Sequence, residues 1–173
     1  MMTVVFMLLV CTATPALADT DESGYSLLLL RHAEKTSGGF DPDLTKYGQS
    51  RARFLASWRS ELNVQAIWSS DFRRTRNTVE PLANKLGLAI NIYDPGEQAY
   101  LVDDLLSAQV NAVVVGHSNT IPALAAMLCE CEVAPMEDTD YERSFLIKKA
   151  GDSTDFSEID LKNIWTDRPA DVH

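Results

Sequence analysis

The sequence predicts a three-layer α/β/α sandwich around a mostly parallel central sheet. Two observations point there. Leu27-Leu28-Leu29-Leu30 and Val113-Val114-Val115-Gly116 are unbroken apolar runs of strand length, the pattern of strands covered on both faces by helices. Around them, strand-like runs alternate with segments of helical period, as in successive βαβ units.

Taken in order, residues 26–31 form the first strand, and residues 36–42, rich in Gly, Ser and Asp, form a loop. Residues 45–62 are helical in pattern, with Ala52, Leu55, Ala56 and Leu62 on one side. Residues 66–69 make a short second strand. Ser70 or Asp71 then caps a helix running to about Leu86 and ended by Gly87, which Pro81 should kink or divide. Residues 88–93 are a third strand and 98–108 a helix. Residues 111–116 are the fourth strand, and a helix over about 120–128 tolerates Pro122 in its first turn. Residues 144–149 and 156–161 pair as a hairpin around Ala150-Gly151-Asp152.

The chain has 173 residues, enough for one domain to bury its own core. Residues 1–18 carry no charge, residues 4–10 are an apolar core, and Pro15-Ala16-Leu17-Ala18 has the small-x-small pattern of a signal peptidase site. The apolar stretch is too short to span a bilayer. The expectation is a secretory signal peptide over 1–18 and a single domain over 19–173, periplasmic or secreted, with no stable membrane insertion after cleavage. The formal charge of −10 lies wholly in that domain, which argues against nucleic acid as a partner. Positive charge is instead concentrated locally, at Arg31, Lys35, Arg73, Arg74 and Arg76. Beyond the leader, Cys129 and Cys131 read as two plain thiols or as one local disulfide. A zinc site at Cys-x-Cys would need further ligands that the histidines do not supply. The pattern sets no oligomeric state.

Two of the three histidines, His32 and His117, follow the two apolar runs directly, which suggests one paired site. Arg31 and His32 point to opposite faces inside a strand, so they serve one ligand only if the strand ends there and the backbone turns. Arg74 falls about three residues beyond the expected helix cap after the second strand. Gly116-His117-Ser118-Asn119-Thr120 repeats that arrangement after the fourth. Two arginines, two histidines and two helix N-termini thus converge outside the carboxyl ends of parallel strands, where ligands bind in this architecture and where helix ends favour an anion. Arg73 reads better as a solvated residue of a helix face.

Arg31-His32-Ala33-Glu34, Leu44-Thr45-x-x-Gly48, Ser70-x-x-x-Arg74-Thr75-x-x-Thr78 and Gly116-His117 together resemble the histidine phosphatase superfamily, the phosphoglycerate mutase-like group, including its small secreted bacterial members. The resemblance implies that His32 is a nucleophile that becomes phosphorylated and that His117 binds the transferring phosphoryl group. Arg31 and Arg74 would grip its oxygens, with Ser118 and Asn119 contributing to substrate binding, and no metal or cofactor would be needed. A neutral imidazole can attack phosphorus without a separate base, and paired arginines suit the equatorial oxygens of the transition state. Family members place a general acid as a Glu after the third strand or as an Asp after the second histidine. Here Ser118 excludes the latter, and Asp94 and Glu97 are the candidates for the former, although each also suits a turn. Glu34 reads as structural. The expected activity is a secreted phosphatase acting on a small phosphorylated substrate. A phosphohistidine phosphatase, a phosphomutase or a non-catalytic phosphate-binding module of the same fold are the alternatives.

Overall fold

A computed structural model describes residues 24–58 and 62–165. The expected signal peptide, residues 1–18, lies outside the described residues. The elements run β1 (Tyr25–Arg31), α1 (Lys46–Ser57), β2 (Ala66–Ser70), α2 (Arg73–Leu86), β3 (Ile90–Tyr93), α3 (Gln98–Ala108), β4 (Ala112–Gly116), α4 (Ile121–Cys129), β5 (Arg143–Ala150), β6 (Ser153–Asp160) and α5 (Leu161–Ile164). The six strands form one sheet in the order β3-β2-β4-β1-β5-β6. The first four are parallel, and β5 and β6 add antiparallel to β1. The sheet is mostly parallel, as expected.

The leucine run shows why a continuous apolar strand is needed here. Successive side chains alternate across the sheet. Leu27 and Leu29 therefore enter a cluster with Leu101, Leu105, Leu124 and Phe145, while Leu28 and Leu30 enter another with Leu55, Val79 and Leu82. Helices α1 and α2 cover one face and α3 and α4 the other. All four leucines are buried. At about 25 cal/mol per Å² of apolar surface, full burial of each stabilises the fold by roughly 1.5–3 kcal/mol before entropy is counted.

The strand order creates the crevice. From β1 the chain moves outward through β2 to β3, then returns to lay β4 between β2 and β1. The helices after β1 and β4 consequently leave on opposite faces, and a gap opens at the ends of these two neighbours. The register brings Arg31 beside Gly116, and the amide of His32 donates to the Gly116 carbonyl at 2.9 Å. A Cβ at Gly116 would stand 2.6 Å from Tyr93 Oη and 3.0 Å from Ile121, so only glycine fits at this junction.

Several boundaries differ from the sequence reading. Helix α1 starts as expected, with Thr45 Oγ1 accepting from the Gly48 amide at 3.0 Å, but it ends at Ser57. Pro81 does not divide α2, which runs unbroken through Leu86. Neither Ser70 nor Asp71 caps α2: Ser70 Oγ is engaged by His117, and Asp71 pairs with Arg76 at 2.7 Å. The N-cap position is Phe72, and the free Arg73 amide is taken by the Asp41 carboxylate, at 2.9 and 3.1 Å, from a loop 32 residues upstream. A carboxylate there also meets the positive end of the helix. The hairpin turns at Gly151 with φ +53°. Its second strand starts at Ser153, earlier than its apolar residues indicate, because it is an edge strand with polar side chains outward. Among the described residues no helix is long and apolar enough to cross a membrane.

Candidate active site

The turn after β1 resolves the geometric difficulty of Arg31 and His32. The strand ends at Arg31, and the Ala33 amide donates to Thr78 Oγ1 at 2.8 Å, while that hydroxyl donates to the Arg74 carbonyl at 2.7 Å. One threonine therefore fixes both the post-strand turn and the first turn of α2. Behind the turn, Arg51 of α1 clasps Glu34 with contacts of 3.1, 3.1 and 2.6 Å. The first turn of α1 presses so closely on Glu34 that a Cβ at Gly48 would lie 2.2 Å from the Glu34 carbonyl oxygen. The Gly48 position and the structural reading of Glu34 both follow from this contact.

His32 and His117 are buried and face one another edge-on, with ring centroids 5.5 Å apart. Their partners set their tautomers. His32 Nδ1 lies 2.7 Å from the Ala33 carbonyl, which only accepts, so Nδ1 carries the hydrogen and Nε2 carries the lone pair. His117 Nδ1 lies 3.4 Å from Arg74 Nη2, which only donates. Its Nε2 therefore donates to Ser70 Oγ at 2.9 Å, and Ser70 passes the chain to Thr75 Oγ1 at 3.1 Å. Burial, first, and then the surrounding positive charge push His32 down to about 3 and His117 down to about 4. Both rings are neutral at pH 7.

The guanidiniums of Arg31 and Arg74 flank this pair. Arg31 Nη1 donates to the carbonyls of Glu137 and Asp140, at 2.9 and 3.2 Å. Arg74 has Asp41 at 3.5 Å from Nη1 and stacks over Phe72, whose ring in turn meets His117 edge-on at 5.0 Å. In both arginines Nε is buried without a hydrogen-bond partner. Buried N–H groups of a cation are costly unless an acceptor arrives, and two arginines that line one cleft and each carry such a group suit an anion there.

The cleft, about 460 Å³, is lined by Arg31, His32, Arg74 and His117, with Lys35 and Asp138 at its wall. Ser118 and Asn119 line it too. Asp94 and Glu97 do not: their segment contributes Pro95 and Gly96, while Asp94 accepts from the Gly96 amide at 2.8 Å and closes a turn. Arg73 pairs on the surface with Asp43, in keeping with a solvated role.

Three residues escaped the sequence reading. Asp41 caps α2, Tyr141 lies 4.1 Å beneath the Arg31 guanidinium, and Asp138 accepts from Ser118 Oγ at 2.9 Å. All three sit in irregular loops, where neither period nor spacing marks them. The remaining motif, Cys129-x-Cys131, forms a disulfide at the C-terminal end of α4.

Residues 27–95 match a family model described as the histidine phosphatase superfamily (branch 1). No curated protein matches the chain, but many solved structures share its fold. The protein histidine phosphatase SixA, in complex with tungstate, is 20% identical with a TM-score of 0.66, over 80% of this chain and 99% of that one. A mycobacterial glucosyl-3-phosphoglycerate phosphatase is 17% identical with a TM-score of 0.59, over 78% and 97%. A protein described as mycobacterial hydrolase 1 is 18% identical with a TM-score of 0.59, over 78% and 96%. At these identities the likeness is one of fold.

Proposed function

We propose that this chain, a histidine phosphatase superfamily member by its matched segment and its fold, is a phosphatase that hydrolyses a small phosphomonoester through a covalent phosphohistidine on His32. One observation carries the reading. The lone pair of a neutral, buried imidazole opens into a cleft flanked by two guanidiniums, each with a buried Nε–H that has no acceptor.

In this reading the phosphoryl group fills the space between the arginines, and its oxygens take up the two orphaned N–H groups. His32 Nε2 attacks phosphorus, needing no base because the ring is already neutral. The Ala33 carbonyl holds the Nδ1 hydrogen and stabilises the charge that the ring gains on phosphorylation. Arg31 and Arg74 meet the equatorial oxygens in fixed positions, so little reorganisation accompanies the step. An incoming dianion also favours protonation of His117, whose Nδ1 then becomes a donor toward the phosphoryl group. Water afterwards cleaves the phosphohistidine.

The location we propose is the periplasm or the extracellular space, after removal of residues 1–18. The uncharged leader and the Cys129–Cys131 disulfide support it, since disulfides persist in oxidising compartments. Expression in a Gram-negative host should yield periplasmic protein beginning at Asp19. Recovery of the chain from the cytosol with its leader intact sinks that location.

The catalytic reading is tested by incubating the purified mature domain with an aryl phosphate and with vanadate. Turnover, with acid-labile and base-stable phosphate trapped on the protein and lost in His32→Ala, is the expected result. Binding of vanadate without turnover would identify a phosphate-binding module instead.

A further inference from the structure

An ester oxygen leaves phosphorus readily only if it is protonated as the bond breaks. Neither carboxylate expected from the sequence reaches the cleft, but another does. Asp138, in the segment between α4 and β5, is the single carboxylate among the described residues that line it. Its Oδ1 accepts from Ser118 Oγ at 2.9 Å and stands 3.8 Å from Arg31 Nη2. Ser118 is the neighbour of His117, so the bond ties this carboxylate to the phosphate-binding turn.

The segment carrying Asp138 is itself held in place. Arg31 Nη1 grips the carbonyls on either side of it, those of Glu137 and Asp140. Met136 is buried below, and Arg143 reaches back to the Pro135 carbonyl at 2.8 Å. The backbone is thus anchored while the Asp138 side chain is 95% exposed at the mouth of the cleft. That position suits the chemistry. A phosphoryl group bound between Arg31 and Arg74, with His32 behind it, turns its ester oxygen outward to the mouth, because displacement is in line.

We propose that Asp138 is the general acid of the phosphatase, an inference that rests on the function proposed above. The groups facing it are Arg31 and Ser118, with Lys35, Arg74 and the two neutral imidazoles, His32 and His117, behind them. In the first step the His32 Nε2 lone pair forms the N–P bond and the P–O bond to the alcohol breaks. The Asp138 carboxyl gives its proton to the departing oxygen, leaving a neutral alcohol and a carboxylate. In the second step water forms a new O–P bond and releases its proton to solvent, from which the Asp138 carboxylate is reprotonated, and the N–P electrons return to Nε2. The sum is ester plus water giving alcohol plus phosphate, with Asp138 again protonated.

The test compares substrates of different leaving ability in the full mature protein and in Asp138→Asn. Asparagine keeps an acceptor for Ser118 and sits at an exposed position, so folding should be preserved, and thermal unfolding checks this. Phenolate departs without a proton, whereas an alkoxide does not. Asp138→Asn should therefore lower kcat for an alkyl phosphate such as glycerol phosphate by roughly a hundredfold or more, the usual contribution of a general acid. It should leave kcat for 4-nitrophenyl phosphate within a few-fold. Ser118→Ala, which frees the carboxylate without removing it, should produce a smaller loss of the same selectivity. Equal effects on both substrates, or none on either, overturn Asp138 as the acid while leaving the phosphatase reading intact. Absence of aryl phosphate turnover in the parent protein overturns the phosphatase reading, and the acid with it.

Discussion

His32 and His117, 85 residues apart in the chain, stand with ring centroids 5.5 Å apart because β1 and β4 are direct neighbours in the sheet and end at the same level. Each is presented by a tight post-strand turn. Each has one ring nitrogen committed to a neighbour of unambiguous polarity, the Ala33 carbonyl for His32 and the Arg74 guanidinium for His117. The pair is therefore oriented before any ligand arrives, which removes that entropic cost from the chemical step.

The two arginines should fail differently when removed. Arg74→Ala deletes one charge contact to the phosphoryl group and should reduce kcat by about two to three powers of ten, in line with the loss of a preorganised donor. Arg31→Ala deletes a comparable contact and also releases the Glu137 and Asp140 carbonyls. Faster hydrogen exchange over residues 136–142 is expected in Arg31→Ala and not in Arg74→Ala. Identical exchange in the two variants would mean that Arg31 does not hold that segment.

Glu34 belongs to the recognisable Arg-His-x-Glu motif, yet its carboxylate faces Arg51. Glu34→Ala leaves a guanidinium nearly buried and short of its main partner, with Glu142 at 3.6 Å as partial relief. A loss of about 3 kcal/mol is expected, near the low end for breaking a buried pair. For a domain of this size that is roughly 6–12 °C in Tm. Activity per folded molecule at low temperature should change much less. A stable Glu34→Ala protein with abolished turnover would make the residue catalytic instead.

The parts of the site that were legible in the sequence are those delivered by regular elements. Leu27–Leu30 and Val113–Val115 mark central strands, so the residues after them are necessarily at the sheet edge. Arg74 was legible because a helix start follows a strand. What period and spacing do not encode is the pairing of distant loops: Asp41 capping α2, or Asp138 bonding Ser118. The position of Asp94 and Glu97 is a case of the same kind. Proximity in the chain to β3 put them near the cleft, but Pro95 and Gly96 line it instead. The α2 cap was misread because Ser70, a good capping residue by type, is engaged by a histidine 47 positions away.

The disulfide lies at the far end of α4 from His117, and among the described residues no cysteine lines the cleft. Replacing Cys129 and Cys131 together by Ser should leave most of the activity. Only one residue is enclosed between the cysteines, so the loop-closure contribution is small, below about 2 kcal/mol. Loss of turnover by a folded double variant would reveal a redox or metal role for the pair.

Burial of two neutral imidazoles makes the stability of the ligand-free protein depend on pH in a definite direction. Both folded-state values lie below the ordinary 6.5, His32 at about 3 and His117 at about 4, with desolvation the main cause in each. Between those values and 6.5 the unfolded chain binds protons that the folded one does not, so stability rises with pH across this window. The contribution is fully present above about pH 6.5 and is lost as pH falls toward 4. The limiting slope from His32 is about 1.4 kcal/mol per pH unit, and His117 adds to it in the same sense. Urea unfolding between pH 4.5 and 7.5 in phosphate-free buffer should show this decline, and His32→Gln/His117→Gln should flatten it. Vanadate, by favouring the charged form of His117, should reduce the pH dependence as well. Parallel curves for the parent and the double variant would show that the two rings titrate alike in the folded and unfolded chain, and the lowering of both by burial would fall with that result.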